Sequence, residues 1–117
     1  MGRLTTHVLD TARGLPGAGI SVSVFRIEGA VRQLLHTLVT NQNGRCDEPL
    51  LEGAALVAGV YELVFSVAAY FTASGQVLPD PPFVGDVVLR VGIADGSQHY
   101  HVPLLVSPWS YSTYRGS

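Results

Sequence analysis

Apolar and polar residues alternate along several short segments of the chain, which are separated by clusters of Gly, Pro, Asn and Asp. The clearest alternation places Ile20, Val22 and Val24 on one side and Ser21 and Ser23 on the other. Because successive side chains of a β-strand point to opposite faces, this period of two predicts a strand with one buried face. Repeated with turn residues in between, the pattern is typical of an antiparallel β-sandwich rather than of helices.

Further segments have the apolar and β-branched content of strands. They cover residues 4–10, 33–40, 60–65, 87–93, 98–107 and 111–114. In the first of them, His7 falls on the face opposite Val8. Pro103 interrupts the segment 98–107, and because proline has no N–H to donate to a sheet, we expect an edge position or a bulge there.

Turn and helix signals separate these strands. Asn43-Gly44 predicts a tight hairpin turn, since both residues tolerate a positive φ, and it places Arg45 near a strand end. The segment 66–74 lacks alternation and contains three alanines, so it predicts a short helix. Residues 78–82 include three prolines and predict a loop. A length of 117 residues without internal repeats suits one hydrophobic core, so we expect a single all-β domain over residues 1–117.

Composition and charge narrow the choice of partners. Hydrophobic residues make up 47% of the chain and charged residues only 14%, so we expect part of the apolar surface to meet another subunit. The net charge is −2, and the seven cationic residues are scattered arginines without a basic run, which argues against nucleic acid as a partner. No apolar run reaches 18 residues, so no membrane span is expected. Cys46 is the only cysteine, so no intrachain disulfide can form and we expect a cytoplasmic location.

His99 and His101 are the first candidates for chemistry. In a strand they project to the same face, about 6.6 Å apart along the chain. Two such imidazoles could share a metal ion or bind and deprotonate a water, because an ordinary histidine pKa of about 6.5 suits base catalysis at neutral pH. An isolated His-x-His is nevertheless more often a pair of surface or hydrogen-bonded residues. The same choice applies to His7, and Arg45 is either a solvated arginine or a contact for a carbonyl or oxyanion.

The segment 111–117 is unusually rich in functional groups for a chain terminus. It contains Tyr111, Tyr114, Arg115 and Ser117 together with two further hydroxyl side chains. A polar tail that keeps the end soluble would account for them equally well. Elsewhere the chain has no Gly-x-Ser-x-Gly elbow, phosphate-binding loop, Gly-x-Gly-x-x-Gly or His-Glu-x-x-His, so lipase, nucleotide-binding and zinc-protease chemistries have no support.

Four segments together resemble the 5-hydroxyisourate hydrolases, also called transthyretin-like proteins. They are Leu4–Asp10, Asn43–Asp47, His99–Leu105 and Tyr114–Ser117. The ending Tyr-Arg-Gly-Ser is highly specific, because transthyretin, a hormone carrier of similar fold, lacks it. The resemblance implies a transthyretin-like sandwich of two four-stranded sheets with one short helix. It also implies a homotetramer with its sites at the subunit interface.

The same resemblance implies an activity and a set of site residues. The activity is hydrolysis of 5-hydroxyisourate to 2-oxo-4-hydroxy-4-carboxy-5-ureidoimidazoline in urate degradation, without a cofactor or a metal. The implied catalytic positions are His7, Arg45, His101 and Ser117, and the implied substrate-binding positions are His99, Tyr111, Tyr114 and Arg115. In this scheme the catalytic histidines hold and deprotonate a water and the arginine binds the developing oxyanion. The terminal serine anchors the purine edge.

Two other functions remain open from the residues alone. A transthyretin-like carrier would hold an aromatic ligand between subunits without turning it over. A metal hydrolase would use His7, His99 and His101 as three nitrogen ligands of zinc and keep a fourth position for water. A turnover assay separates a carrier from an enzyme, and metal analysis with activity after chelation tests the zinc hypothesis.

Overall fold

The fold is described by a computed structural model for residues 1–116. Within these residues the strands are β1 (Arg3–Asp10), β2 (Leu15–Pro16), β3 (Ser21–Glu28), β4 (Val31–Val39), β5 (Leu51–Glu52), β6 (Gly59–Phe65), β7 (Val87–Ile93), β8 (Tyr100–Val106) and β9 (Tyr111–Thr113). The helix α1 is Val67–Ala73, and a short 3-10 helix covers Gly53–Ala55. No helix in this part of the chain is long and apolar enough to cross a membrane.

The first sheet is built around β1. Its strand order is β2-β1-β8-β9, and β5 also pairs with β1. β1 and β8 run parallel, with Leu4 opposite Tyr100 and Asp10 opposite Val106. Every second residue of β1 from Leu4 to Asp10 is buried, and the residues between them, including His7, are partly exposed. The alternation read from the sequence therefore separates a core face from an outer face.

The second sheet has the order β4-β3-β6-β7, and all its neighbours are antiparallel. Its inner face packs against the inner face of the first sheet, as in other two-layer β-sandwiches. α1 follows β6 and buries Val67 and Phe71, which are one helical turn apart. The largest fully buried side chains include Tyr61, Phe65, Phe71, Leu4, Ile20, Leu50, Leu63 and Leu104.

The predicted all-β sandwich with one short helix is confirmed. The predicted division into two four-stranded sheets differs by one short strand, because β5 adds two residues to the edge of β1 and makes that sheet five-stranded. β2, which also has only two residues, was not predicted either. Strands this short carry no alternation that a sequence pattern could show.

The prediction that Pro103 marks an edge or a bulge is wrong. β8 lies between β1 and β9, and Pro103 stands opposite His7 in an unbroken parallel register. The missing N–H is tolerated because β9 pairs only with Leu104–Val106, so no ladder bond is needed at the proline nitrogen. Beyond the end of that pairing, the hydroxyl of Thr113 donates to the carbonyl of Pro103 at 2.7 Å.

Asn43-Gly44 forms the predicted turn but not a hairpin. Gly44 has a φ of 75°, and its amide donates to the carbonyl of Asn41 at 2.9 Å. The chain then leaves β4 and crosses to the other sheet, where the amide of Val8 donates to the carbonyl of Gly44 at 2.8 Å. This crossing brings Arg45 to β1 instead of into a strand that returns along β4.

Candidate active site

Three short segments cover the outer edge of β1. β5 pairs with the beginning of β1, and β2 pairs with its end. Between them, Arg45 forms an isolated antiparallel bridge with His7. Residues that stand directly opposite each other in an antiparallel pair project to the same face. The side chains of Arg45 and His7 therefore share the outer face of the sheet.

Gly44 allows Arg45 to come this close to β1. A Cβ atom at position 44 would overlap the carbonyl oxygen of Val8 and would lie 3.2 Å from the nitrogen of Gly17. The φ of 75° also lies in the left-handed region, where glycine has no steric cost. The turn can close onto β1 because position 44 is a glycine, and the next residue is then delivered to His7.

His101 lies on the same outer face. In the parallel register Thr5 stands opposite His101, and His7 stands opposite Pro103. The Oγ1 atom of Thr5 lies 2.8 Å from Nδ1 of His101. On the other side of β8, His101 forms an isolated bridge with Gly116. Two histidines on adjacent strands thus face the same space as Arg45.

Two adjoining hollows open on this face, and we refer to them together as the outer groove. The larger has a volume of about 250 Å³ and is lined by Arg3, Thr5, Thr6, Arg45, Cys46, Asp47, Glu48 and Pro49. The smaller has a volume of about 110 Å³ and is lined by Arg3, Thr5, His99, Tyr100 and His101. Arg3 and Thr5 line both hollows, so the two hollows lie side by side.

The arginines of the outer groove have no ion-pair partner among residues 1–116. Four arginines elsewhere are paired, in Arg13–Asp10, Arg26–Glu28, Arg32–Glu62 and Arg90–Glu62, and Arg115 donates to Gln98 and to the carbonyl of His99. The groove contains two acids, but the amide of Asn41 donates to Asp47 at 2.9 Å, and Glu48 contacts His36 at 3.1 Å. Within residues 1–116, the guanidinium groups of Arg3 and Arg45 are therefore available to an anionic or strongly polar ligand.

Both histidines of this face have depressed pKa values. Burial, followed by the charge of Arg45, lowers the pKa of His7, although a backbone hydrogen bond with Asn43 acts in the opposite direction. Burial also lowers the pKa of His101, and the charges of Arg45 and His7 lower it further. A neutral imidazole can take a proton from water, so both side chains suit general-base catalysis near neutral pH.

The structure brings together four of the residues singled out from the sequence. His7, Arg45 and His101 meet on the outer face, and His99 lines the smaller hollow. His99 precedes β8, whose first residue is Tyr100, so the expectation that His99 lies within this strand is wrong. Among the described residues, no group of three or more His, Cys, Asp or Glu side chains is placed to hold a metal ion.

The C-terminal candidates are placed differently. Tyr111 stands opposite Val106, a core residue, so its side chain projects from the opposite face to that of His101. Tyr114 and Arg115 line a separate hollow of about 280 Å³ that also includes Tyr100 and Val102. The predicted roles of these residues in binding substrate stay predictions, and Ser117 lies outside the described residues.

Sequence reasoning did not single out Arg3 or Thr5, although both line the whole groove. Arg3 had no signal of its own beyond its charge. Thr5 lies on the same face of β1 as His7, two residues away, and this spacing was visible in the alternation of the strand. Its contact with His101 was not visible, because 96 residues separate them.

Comparisons by sequence and by structure both find 5-hydroxyisourate hydrolases among the proteins similar to this chain. The HIUase/Transthyretin family matches the chain over residues 4–116. The 5-hydroxyisourate hydrolase of Ralstonia nicotianae is 62% identical over 117 residues, which is 100% of each chain. The structure of the Klebsiella pneumoniae 5-hydroxyisourate hydrolase superposes with a TM-score of 0.83 at 36% identity and 100% coverage of both chains. An (S)-allantoin synthase superposes with a TM-score of 0.94 at 43% identity, over 99% of this chain and 44% of that one.

Proposed function

Because the chain belongs to the HIUase/Transthyretin family, we propose that it hydrolyses 5-hydroxyisourate in urate degradation. The full-length similarity to the Ralstonia nicotianae 5-hydroxyisourate hydrolase supports this substrate. The observation that carries the proposal is the meeting of His7, His101 and Arg45 on one outward face beside a groove. Such a face offers two bases and one oxyanion contact to the same ligand.

Opening a cyclic amide requires a positioned water, a base and stabilisation of charge on the attacked carbonyl. His7 and His101 hold the water and take one proton as its oxygen bonds to the carbonyl carbon. Arg45 stabilises the negative charge on the carbonyl oxygen. The proton then passes to the ring nitrogen as the C–N bond breaks. This scheme needs neither a metal nor an organic cofactor.

Arg3 gives the groove a second cation that suits the product. Hydrolysis of a cyclic amide creates a carboxylate, and the planar fork of a guanidinium binds a carboxylate through two parallel hydrogen bonds. Arg45 would bind the oxyanion, and Arg3, which lines both hollows, would bind the new carboxylate. Ser117 would anchor the purine edge, as the family resemblance implies.

We further propose that a homotetramer completes the groove with residues from a neighbouring subunit. Tyr111 is opposite Val106, about 16 Å along β8 from His101, so it cannot bind the same small substrate within one chain. Tyr111 is 49% exposed, and Trp109 and Tyr114 are 59% and 61% exposed. If a second chain covered these aromatic side chains, the C-terminal candidates of one chain would lie over the outer groove of the other.

The proposal includes the cytoplasm as the location. Cys46 is the only cysteine and is a half-buried free thiol. A fold that uses no disulfide suits a reducing compartment. Cell fractionation with detection of the protein would test this location.

The decisive experiment generates 5-hydroxyisourate in situ with urate oxidase and follows its ultraviolet decay with and without the protein. We expect a large acceleration that both His7→Ala and His101→Ala reduce strongly. Val31→Ala is the control, because Val31 is exposed on β4 in the other sheet, and it should keep the wild-type rate. If the wild-type protein bound the compound but left its decay unchanged from buffer, the chain would be a carrier and the proposal would fail.

A further inference from the structure

Thr5 makes an unusual contact for a strand threonine. The hydroxyl of Thr6 donates to the carbonyl of Val102 at 2.7 Å, and that of Thr11 donates to the carbonyl of Val106 at 3.1 Å. Thr5 instead has its Oγ1 atom 2.8 Å from Nδ1 of His101, a group that titrates. The hydroxyls of Thr6 and Thr11 thus bind the backbone of β8, whereas that of Thr5 contacts a side chain of the outer groove.

The ring of His101 is held on two sides. Its Nδ1 atom faces Thr5, and its Cδ2 atom would lie 3.1 Å from a Cβ atom placed on Gly116. These contacts leave Nε2 as the ring nitrogen that Thr5 does not engage. The smaller hollow beside this ring is also lined by Arg3 and His99. A substrate in the groove would therefore meet the Nε2 side of His101.

The partner of one imidazole nitrogen decides what the other nitrogen can do. In a neutral imidazole one nitrogen carries the proton and the other carries a lone pair. If Nδ1–H donates to the oxygen of Thr5, then Nε2 has the lone pair and can act as a base. If the hydroxyl of Thr5 donates to Nδ1 instead, then Nε2 carries the proton and cannot accept another one.

The charges around the ring favour its neutral form. Cationic or titratable groups surround it from β1 (Arg3 and His7), from the turn after β4 (Arg45) and from the residue before β8 (His99). The acids that line the neighbouring hollow, Asp47 and Glu48, are engaged by Asn41 and His36. A neutral ring with a fixed tautomer is what a general base requires.

We propose that Thr5 is a positioning residue whose Oγ1 atom accepts the Nδ1–H proton of His101 and so keeps Nε2 free as the base of the reaction. This inference rests on the proposed function. Nε2 takes a proton from the water as the C–O bond forms, and it returns that proton to the leaving ring nitrogen as the C–N bond breaks. Nδ1–H stays bonded to Thr5 in both the neutral and the cationic state of His101.

Two substitutions of similar size separate this role from a structural one. Thr5→Val keeps the branched shape and removes the hydroxyl, whereas Thr5→Ser keeps the hydroxyl. In Thr5→Val we expect kcat to fall about tenfold to a hundredfold with little change in KM, because loss of an orienting partner affects the reacting group more than binding. Thr5→Ser should restore most of kcat.

Nitrogen-15 NMR of the imidazole nitrogens, recorded without substrate, reads the tautomer directly. The signals of His101 are assigned by their loss in His101→Asn. We expect the neutral ring to carry its proton on Nδ1 in the wild type and in Thr5→Ser, and to shift towards Nε2–H in Thr5→Val. A wild-type ring protonated on Nε2, or a Thr5→Val variant with unchanged tautomer and kcat, would overturn the inference.

The two proposals fail separately. A wild-type protein that does not accelerate the decay of 5-hydroxyisourate removes the proposed function, whatever the NMR spectra show. A wild-type protein that is active but has the opposite tautomer removes only the role of Thr5. If Thr5→Val does not fold, the wild-type tautomer still decides, because it requires no variant at position 5.

Discussion

A Cβ atom on Gly116 would lie 3.1 Å from Cδ2 and 3.2 Å from Cβ of His101. The two residues also exchange backbone hydrogen bonds, from the His101 amide to the Gly116 carbonyl at 3.3 Å and from the Gly116 amide to the His101 carbonyl at 2.6 Å. Gly116 therefore packs its bare backbone against the histidine ring. Any side chain at this position must push the ring or the C-terminal segment aside.

We predict that Gly116→Ala lowers turnover about tenfold or more, because a small displacement of a catalytic group is costly. The free energy of unfolding should change little, because the segment lies at the edge of the sheet. Steady-state kinetics and urea unfolding measure the two effects. Gly85→Ala is a suitable control, since a Cβ atom there meets nothing within 4 Å. A Gly116→Ala variant with wild-type kcat would show that the ring of His101 does not need this contact.

Arg45 is expected to act through both its shape and its charge. Arg45→Lys keeps the charge but loses the two-pronged geometry, so we predict a loss of turnover of about tenfold to a thousandfold. Wild-type rates in this variant would remove Arg45 from the mechanism.

The charge of Arg45 also sets the acid limit of activity. It contributes, after burial, to the lowered pKa values of His7 and His101. A base is active when unprotonated, so kcat/KM should fall as pH drops below these pKa values. Arg45→Gln removes the positive charge, the pKa values rise, and the acid limb should move to higher pH. Arg45→Lys should leave the acid limb in place, which separates the charge from the geometry.

Much of the fold was predictable because its signals are local. The alternation in β1 and β3, the alanines of α1 and the turn at Asn43-Gly44 each lie within a few neighbouring residues. The site was predictable only in part. Arg45 reaches His7 through a crossing between sheets, and Thr5 reaches His101 through a parallel pairing of strands near opposite ends of the chain. No short-range pattern specifies such pairings, and the family resemblance alone indicated that these segments work together.

Pro103 shows why a local rule can fail. Proline is excluded from a central strand when its nitrogen faces a partner that needs a donor. β9 pairs with β8 only at Leu104–Val106, so it does not extend to Pro103 and no hydrogen bond to the proline nitrogen is lost. What matters is whether the nitrogen of the proline faces a paired residue, not whether the whole strand is central.

Asp10 links the end of β1 to α1, and the stabilisation that its carboxylate contributes should depend on pH. Its carboxylate accepts hydrogen bonds from Arg13 at 2.9 Å and from the Tyr70 hydroxyl at 2.7 Å. Burial alone raises the pKa of Asp10, but the hydrogen bonds from Tyr70 and Arg13 outweigh it and bring the pKa below its ordinary value of 3.8. The stabilisation is therefore present above pH 3.8 and is lost as pH falls through the lower pKa of the folded state.

We predict that Asp10→Asn lowers the free energy of unfolding by about 1–3 kcal/mol at pH 7, because it replaces charged hydrogen bonds within a buried network. Urea unfolding at equal protein concentration gives this difference. The difference between wild type and variant should shrink at pH 3, which lies below the ordinary pKa of 3.8 at which the unfolded chain takes up a proton on Asp10. Asp80→Asn, in an exposed loop, should change little at either pH. A difference for Asp10→Asn that is identical at pH 7 and pH 3 would contradict a role for its charge.

The last prediction is that assembly and activity are lost together. Leu105 is partly exposed on the face of His101, and Tyr111 is exposed on β9, which pairs with β8 on one side only. Leu104 is fully buried in the core, so a charge there would unfold the chain instead of testing the interface. The combined variant Leu105→Glu, Tyr111→Glu places charges on surfaces that a second subunit would cover.

Light scattering should give a mass of four subunits for the wild type and a smaller mass for this variant, with a parallel loss of turnover. Val77→Glu is the control, because Val77 is 94% exposed in a loop, and it should retain both the mass and the rate. Dilution of the wild type tests the same link without any substitution, since activity per chain should fall where the assembly dissociates. A folded monomer with full activity, obtained by either route, would place the whole site within one chain and leave Tyr111 outside it.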